Sequence, residues 1–323
     1  MTEVKKLSTY APGEPVTGSV FHYTSAEGLI GIVSSRTIRA SEASSLNDKA
    51  EVQQGWDAIA RVLASMPSDK GARDLLMGHA EHPWSKPHEV FVLSASTAGD
   101  DANQWRLYAD GGRGYVLELD GQAGLAAISD VPAPEPSTDE SKTLNLGRLF
   151  QDSALVTPWL HVIYDDDGVR AALMELISVV DAEMREVQNA SSQELHDEGY
   201  SLVRDESYGA LASLANLIKT PGFRGENEVR VVATFFFNRD KVCYRAGAQG
   251  IVGFATLTEA PEGAKARLLR PKGKEPVPTK LPLKSVRTGP LLLSSEHPNT
   301  VREFLDKHAF DQVEVTRSDI PLR

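Results

Sequence analysis

The stretch "ENEVR" (226–230) sets Glu226, Glu228 and Arg230 at alternate positions. On an extended strand these three side chains share one face, with Val229 and Val231 on the other. Two carboxylates roughly 6.5–7 Å apart along a strand suit polarising a sugar hydroxyl, and each raises the pKa of the other. A wet strand face with Arg230 as counter-ion accounts for the same residues. His22 poses a similar choice. It stands at the end of the apolar run in "VFHYTSAEGLIGIV" (20–33), just before a helical pattern, and helix N-termini bind phosphates. A lone strand histidine is otherwise a hydrogen-bonded structural residue.

Other reactive side chains have simpler explanations. Asn47, Asp48 and Glu51 in "NDKAE" have the spacing of a cap for the helix that follows, with Asp48 accepting backbone N–H groups. Trp105 and Tyr108 lie three apart on one helix side, a spacing that core residues share with ligand-stacking ones. His79, His82 and His88 fall in "HAEHPWSKPH", where two prolines break any single-face helix, so no metal site is expected. With Cys243 as the one cysteine, there is no internal disulfide and no multi-cysteine zinc site. Neither a phosphate loop, nor a nucleophile elbow, nor a glycine-rich dinucleotide fingerprint is present.

The elements that must hold these residues follow from periodicity. Residues 20–24, 37–41, 89–96, 114–120, 158–166 and 226–238 read as strands. Thr24 and Glu27 have capping-box spacing for a helix with Leu29, Ile30, Ile32 and Val33. Val52, Trp56, Ile59 and Leu63 make a second helical face. "DDANQWRLYADGG" is a short helix with acids in front and Gly111-Gly112 behind. Residues 130–143 are rich in proline, serine and acid and read as a surface loop. Two helices, one through Val169, Leu173, Leu176, Val180, Met184 and Val187 and one over about 194–219, precede the strongest strand.

The expected fold class is α+β, a mixed and mainly antiparallel sheet with an inserted helical hairpin at about 168–219. Residues 1–18 are set apart as an N-terminal tail and 19–323 as one domain, closed by a strand-helix-strand extension at about 283–323. Of the 323 residues, 41% are hydrophobic and 24% charged, an ordinary globular balance. No apolar run reaches the ~20 residues of a membrane span, and the start has no apolar signal core, so a cytoplasmic protein is expected. A net charge of −11 disfavours wholesale adhesion to nucleic acid. It leaves room for a local basic face at Lys265, Arg267, Arg270, Lys272 and Lys274, although a solvated loop and strand pair balancing an acidic body is the preferred reading of that segment.

Taken in order, "FHYTSAEGLIGIV", "SLNDKAE", "LSAS", "WRLYADGGRGYVLELD", "FRGENEVR", "LPLKSVRTGP" and "VEVTRSDIPLR" resemble a bacterial family labelled a domain of unknown function (number 2971), from about residue 19 to the end. Family members usually have proline where Lys49 stands. More distantly, "HYTSAEGLIGIVSSRTIRAS" is similar to the opening of DNA-targeting bacterial ADP-ribosyltransferase toxins. That likeness implies an ADP-ribosyltransferase-like core with NAD as substrate and no metal. The strand histidine, His22, would contact the adenosine ribose or the nicotinamide end. Glu228 would be the catalytic glutamate of an E-x-E, and Glu226 would orient the acceptor. Tyr23, Thr24, Ser25, Trp105, Tyr108 and Arg230 complete the implied cofactor site, with Tyr23 or Tyr108 stacking on nicotinamide. Tyr23 departs from the pattern of eukaryotic polymerase-type members, which have at this place the glycine whose backbone contacts nicotinamide. The implied activity is transfer to a macromolecular acceptor, protein or nucleic acid, as a toxin or phage-defence effector. A non-catalytic nucleotide sensor and an NAD glycohydrolase are the alternatives.

Overall fold

The computed structural model describes residues 5–45, 49–83, 88–130, 154–189, 193–236, 242–247, 250–261, 268–271, 275–292 and 297–321. Asn47, Asp48, Lys265, Arg267, Lys272 and Lys274 lie outside them, as do 131–143 of the expected loop. In chain order the first half comprises β1 (Ser19–Thr24), α1 (Ala26–Ser35), β2 (Ile38–Glu42), α2 (Lys49–Ala64), α3 (Ala72–Glu81), β3 (His88–Ser96), α4 (Ala102–Tyr108), β4 (Tyr115–Asp120) and β5 (Leu125–Ile128). The second half comprises β6 (Ala154–Val156), β7 (Leu160–His161), α5 (Asp166–Gln188), α6 (Gln193–Ala215), β8 (Glu228–Phe236), β9 (Val242–Gly247), β10 (Gly250–Glu259), β11 (Leu268–Leu269), β12 (Leu283–Thr288), α7 (His297–Lys307) and β13 (Glu314–Arg317).

The sheet runs β11-β5-β10-β2-β3-β1-β4-β12-β13, with β8 on the other edge of β3. Its pairings are antiparallel except β5 with β11 and β12 with β13. The class is therefore α+β with a mixed, mainly antiparallel sheet, and α5 and α6 form the hairpin between β7 and β8. Among the described residues no helix is long and apolar enough to cross a membrane.

One irregularity makes the site. On one edge, β3 pairs with β8 along its whole length, from His88↔Phe236 to Ser96↔Glu228. The opposite edge is shared: β2 meets it at Phe91 and Val92, β1 only at Ser96. Between those contacts β1 and β2 part, and the backbone of Leu93–Ala95 faces the gap.

Alternation sorts the side chains into two layers. Ile38, Ala40, Phe91, Leu93, Leu117, Val229 and Val231 join α1 and α7 in the main core. The opposite face is covered by a helical layer in which α2, α3, α5 and α6 pack their apolar stripes together. The segment expected as a tail belongs to this layer, since Leu7 and Tyr10 are buried in it. Gly55 of α2 lies so close to α6 that a Cβ there would sit 2.1 Å from the Ala215 carbonyl oxygen. This tight approach lies one turn from Glu51 and just before Lys219.

Local expectations fare differently. Asp101 caps α4, accepting from the N–H groups of Asn103 and Gln104. At α1 the expected Thr24 cap is corrected: Thr24 still belongs to β1, and the Ser25 hydroxyl accepts the Gly28 N–H instead. His79 is buried beside Tyr208 with a ring nitrogen 3.2 Å from the Ser207 hydroxyl, a structural position.

Candidate functional site

Where β1 and β2 part there is a cavity of about 300 Å³. β3 supplies its floor, β8 one wall, and α2, α4 and the segment after α6 the rest. His22, Tyr108, Glu226 and Glu228 all line it, together with Arg230 and Lys219.

A buried chain of charges organises the cavity. Glu228 receives Arg230 Nε at 2.7 Å on Oε1 and Arg230 Nη2 at 3.0 Å on Oε2, which also accepts Lys219 Nζ at 2.8 Å. Arg230 reaches further, to Glu51 Oε2 at 3.0 Å and to the Asn216 carbonyl at 2.8 Å. Lys219 also donates to Glu226 Oε2 at 2.7 Å and lies 3.5 Å from Glu51 Oε1. The remaining Glu226 oxygen, Oε1, accepts the Tyr108 hydroxyl at 3.2 Å. Lys219 is fixed by its backbone, because the loop after α6 exchanges N–H···O bonds with Ile163. Three carboxylates thus share two cations, with Glu228 the most fully engaged.

Burial alone would raise the Glu228 carboxyl, but Arg230 and Lys219 outweigh it and hold the group at about 2. Burial works against the Lys219 ammonium too, and Glu228, Glu226 and Glu51 more than restore it, so its pKa is raised. Burial, with Glu226 beside it, pushes the Tyr108 phenol up to about 12, so it stays a donor. A depressed carboxyl pKa stabilises the fold above its unfolded value, 4.5, and that stability is lost as pH falls toward 2. Urea unfolding is expected to show on the order of 3 kcal/mol of stability lost through this group between pH 5 and 2. Glu228→Gln should remove that part of the acid limb. An unchanged limb would show that Glu228 titrates normally.

Burial lowers the His22 pKa, so the ring is neutral at pH 7. Its Nδ1 lies 3.0 Å from the Ser94 carbonyl, one of the oxygens at the gap. A carbonyl only accepts, so Nδ1 carries the proton and Nε2 keeps a lone pair. By alternation His22 shares the face of its partner Leu117, in the main core, whereas Glu228 and Arg230 face the helical layer. The two reach one cavity because the sheet is open between them.

The other expected positions divide. Glu226 corrects the strand reading: it closes a 3-10 turn, Pro221–Glu226, and Asn227 follows in the left-handed region at φ 48° before β8 begins. Both acids nevertheless meet at Lys219. Tyr23 lines the cavity but is 6% exposed, with its hydroxyl bonded to Ala98 and Asp101 and its ring edge-on to Trp105. Stacking on a ligand by Tyr23 is therefore blocked. Trp105 is fully buried with Nε1 on Asp100, away from the cavity. Thr24 and Ser25 do not line it. Tyr108 remains half exposed at the rim. Sequence reasoning missed Lys219, Arg39 and Ser41 as lining residues and gave Glu51 only a capping role. The apolar-in, polar-out alternation of "TIRAS" is the signal that would have put Arg39 and Ser41 on one face.

A family model described as "Protein of unknown function (DUF2971)" matches residues 104–231. That stretch supplies Gln104, Tyr108, Lys219, Glu226, Glu228 and Arg230, six of the cavity's polar residues. No curated protein and no solved structure matches the chain.

Proposed function

We propose that the cavity holds the nicotinamide riboside end of NAD and that the protein transfers ADP-ribose to a macromolecular acceptor. The observation that carries this reading is the meeting, in one cavity, of a neutral His22 and the Glu226–Glu228 pair. At about 300 Å³ the space is at the lower end for a ligand pocket and suits a nucleoside. In the reaction the bond between ribose C1′ and the nicotinamide nitrogen breaks, and its electron pair leaves on nicotinamide. The acceptor nucleophile bonds to C1′ and gives up its proton. Positive charge builds on the sugar as the bond lengthens, and a fixed carboxylate near the 2′-hydroxyl stabilises it. Glu226 suits this role better than Glu228, because its Oε1 faces only a phenol while both Glu228 oxygens are held by cations. His22 Nε2 is available to accept a ribose hydroxyl. The effector role, toxin or phage defence, and a basic face for the acceptor rest on the sequence resemblance and the charge pattern.

A second reading, a binding module without catalysis, is favoured by the saturation of Glu228 with Arg230 and Lys219. Incubation with NAD labelled in its adenylate half separates the outcomes. Free nicotinamide with label on protein or nucleic acid marks the transferase. Nicotinamide without label transfer marks a glycohydrolase using water. Saturable NAD binding without nicotinamide release marks the binding module, and no binding at all overturns the whole reading.

A further inference from the structure

The cavity is too small for a whole dinucleotide, and a second space adjoins it. A groove of about 470 Å³ runs beside β2 and β10 and is rich in hydroxyls, among them Ser35, Thr37, Ser129, Thr256 and Thr279. Arg39 lines both the cavity and this groove. Cross-strand partners share a face, and Arg39 is paired with Thr256 and Ser41 with Phe254, so these four project together on the face that carries Glu228. The Arg39 guanidinium lies 4.7 Å from the centre of the Phe254 ring. Beside it, Arg245 Nη2 donates to the Ser41 hydroxyl at 3.1 Å. Both arginines are exposed, and among the described residues neither guanidinium is paired with a carboxylate. In a chain of net charge −11, a guanidinium that lines both ligand-sized spaces, with a second one bonded to Ser41 of the cavity wall, needs a physical reason.

We propose that Arg39 and Arg245 bind the diphosphate bridge of a dinucleotide whose distal nucleoside lies in the hydroxyl-lined groove; this rests on the NAD reading above and supplies its missing half. Guanidinium matches phosphate through paired N–H donors, and a site of this kind takes diphosphate-linked ligands over single nucleosides. The serine and threonine hydroxyls of the groove can donate to and accept from a sugar and a base.

The experiment compares two probes by calorimetry, ADP-ribose and nicotinamide riboside, on wild type and on Arg39→Gln/Arg245→Gln. Both substitutions are at exposed positions, and melting curves check that the fold is kept. ADP-ribose is expected to bind the double variant at least tenfold more weakly, a larger loss than nicotinamide riboside shows. Thr256→Trp, which fills the groove, should likewise weaken ADP-ribose and spare the riboside. ADP-ribose binding that survives the double substitution at full affinity overturns the bridge and leaves the NAD reading standing. If wild type binds neither probe, both fall together.

Discussion

Arg230→Met is expected to lower the free energy of unfolding by about 3–5 kcal/mol, the usual cost of removing one partner from a buried ion pair. The Arg230 side chain is 5% exposed, Glu228 9% and Glu51 15%. Without the guanidinium, Glu228 and Glu51 are left with Lys219 as their remaining cation, and the Asn216 carbonyl loses its donor. Methionine keeps much of the volume, so cavity formation is a minor part of the effect. Arg230→Met/Glu228→Leu should recover much of the loss, because a buried pair replaced by apolar groups of similar shape is often neutral. Urea unfolding of both single variants and the double one closes a cycle. A loss below about 1 kcal/mol in Arg230→Met would mean that water reaches the network and the charges are not held as described.

The second large effect is on chemistry. Glu226→Gln is expected to slow nicotinamide release by about 10²–10³-fold while the melting temperature stays near wild type. The amide keeps the shape of the side chain, with its oxygen still accepting Lys219 Nζ and its NH2 donating to the Tyr108 hydroxyl, but the negative charge proposed to stabilise the ribose is gone. Glu228→Gln differs in kind. Its new amide group must face Arg230 or Lys219, so activity and stability should fall together. The assay is nicotinamide release under single-turnover conditions, with melting curves on the same preparations. Normal turnover in Glu226→Gln would take this residue out of the reaction. Selective loss in a well-folded Glu228→Gln would return the electrostatic role to Glu228.

The strands and helices were legible because their periods are strong. "EVFVLSAS" and "VRVVATFF" lie in β3 and β8, and the stripe from Val169 to Val187 lies along α5. The site was half legible. Strand alternation correctly put Glu228 and Arg230 on one face, but one residue further back the rule failed. Asn227 adopts a left-handed conformation, which asparagine tolerates better than most residues, and this ends the extended backbone before Glu226. Lys219 sits on an irregular segment placed by bonds to Ile163, a contact across the whole helical hairpin. Glu51 satisfied a capping pattern, and a local explanation hid its distant partner. The parting of β1 from β2 depends on which strand takes which part of one edge of β3, and no local pattern encodes that choice.

The network also has a history within each molecule's synthesis. Glu51 and Arg230 are 179 residues apart in sequence. At 5–20 residues per second, a ribosome needs roughly 10–40 s to travel from one to the other. α3, β3 and the helix stripes of α5 and α6 are synthesised during that interval, but β3 must wait for β8 before its long edge is paired. The cavity is therefore among the last parts of the first 236 residues to take shape. A nascent chain that ends before β8 carries Glu51 and Lys219 without Glu228 or Arg230, and the walls of the cavity cannot yet close around its buried charges.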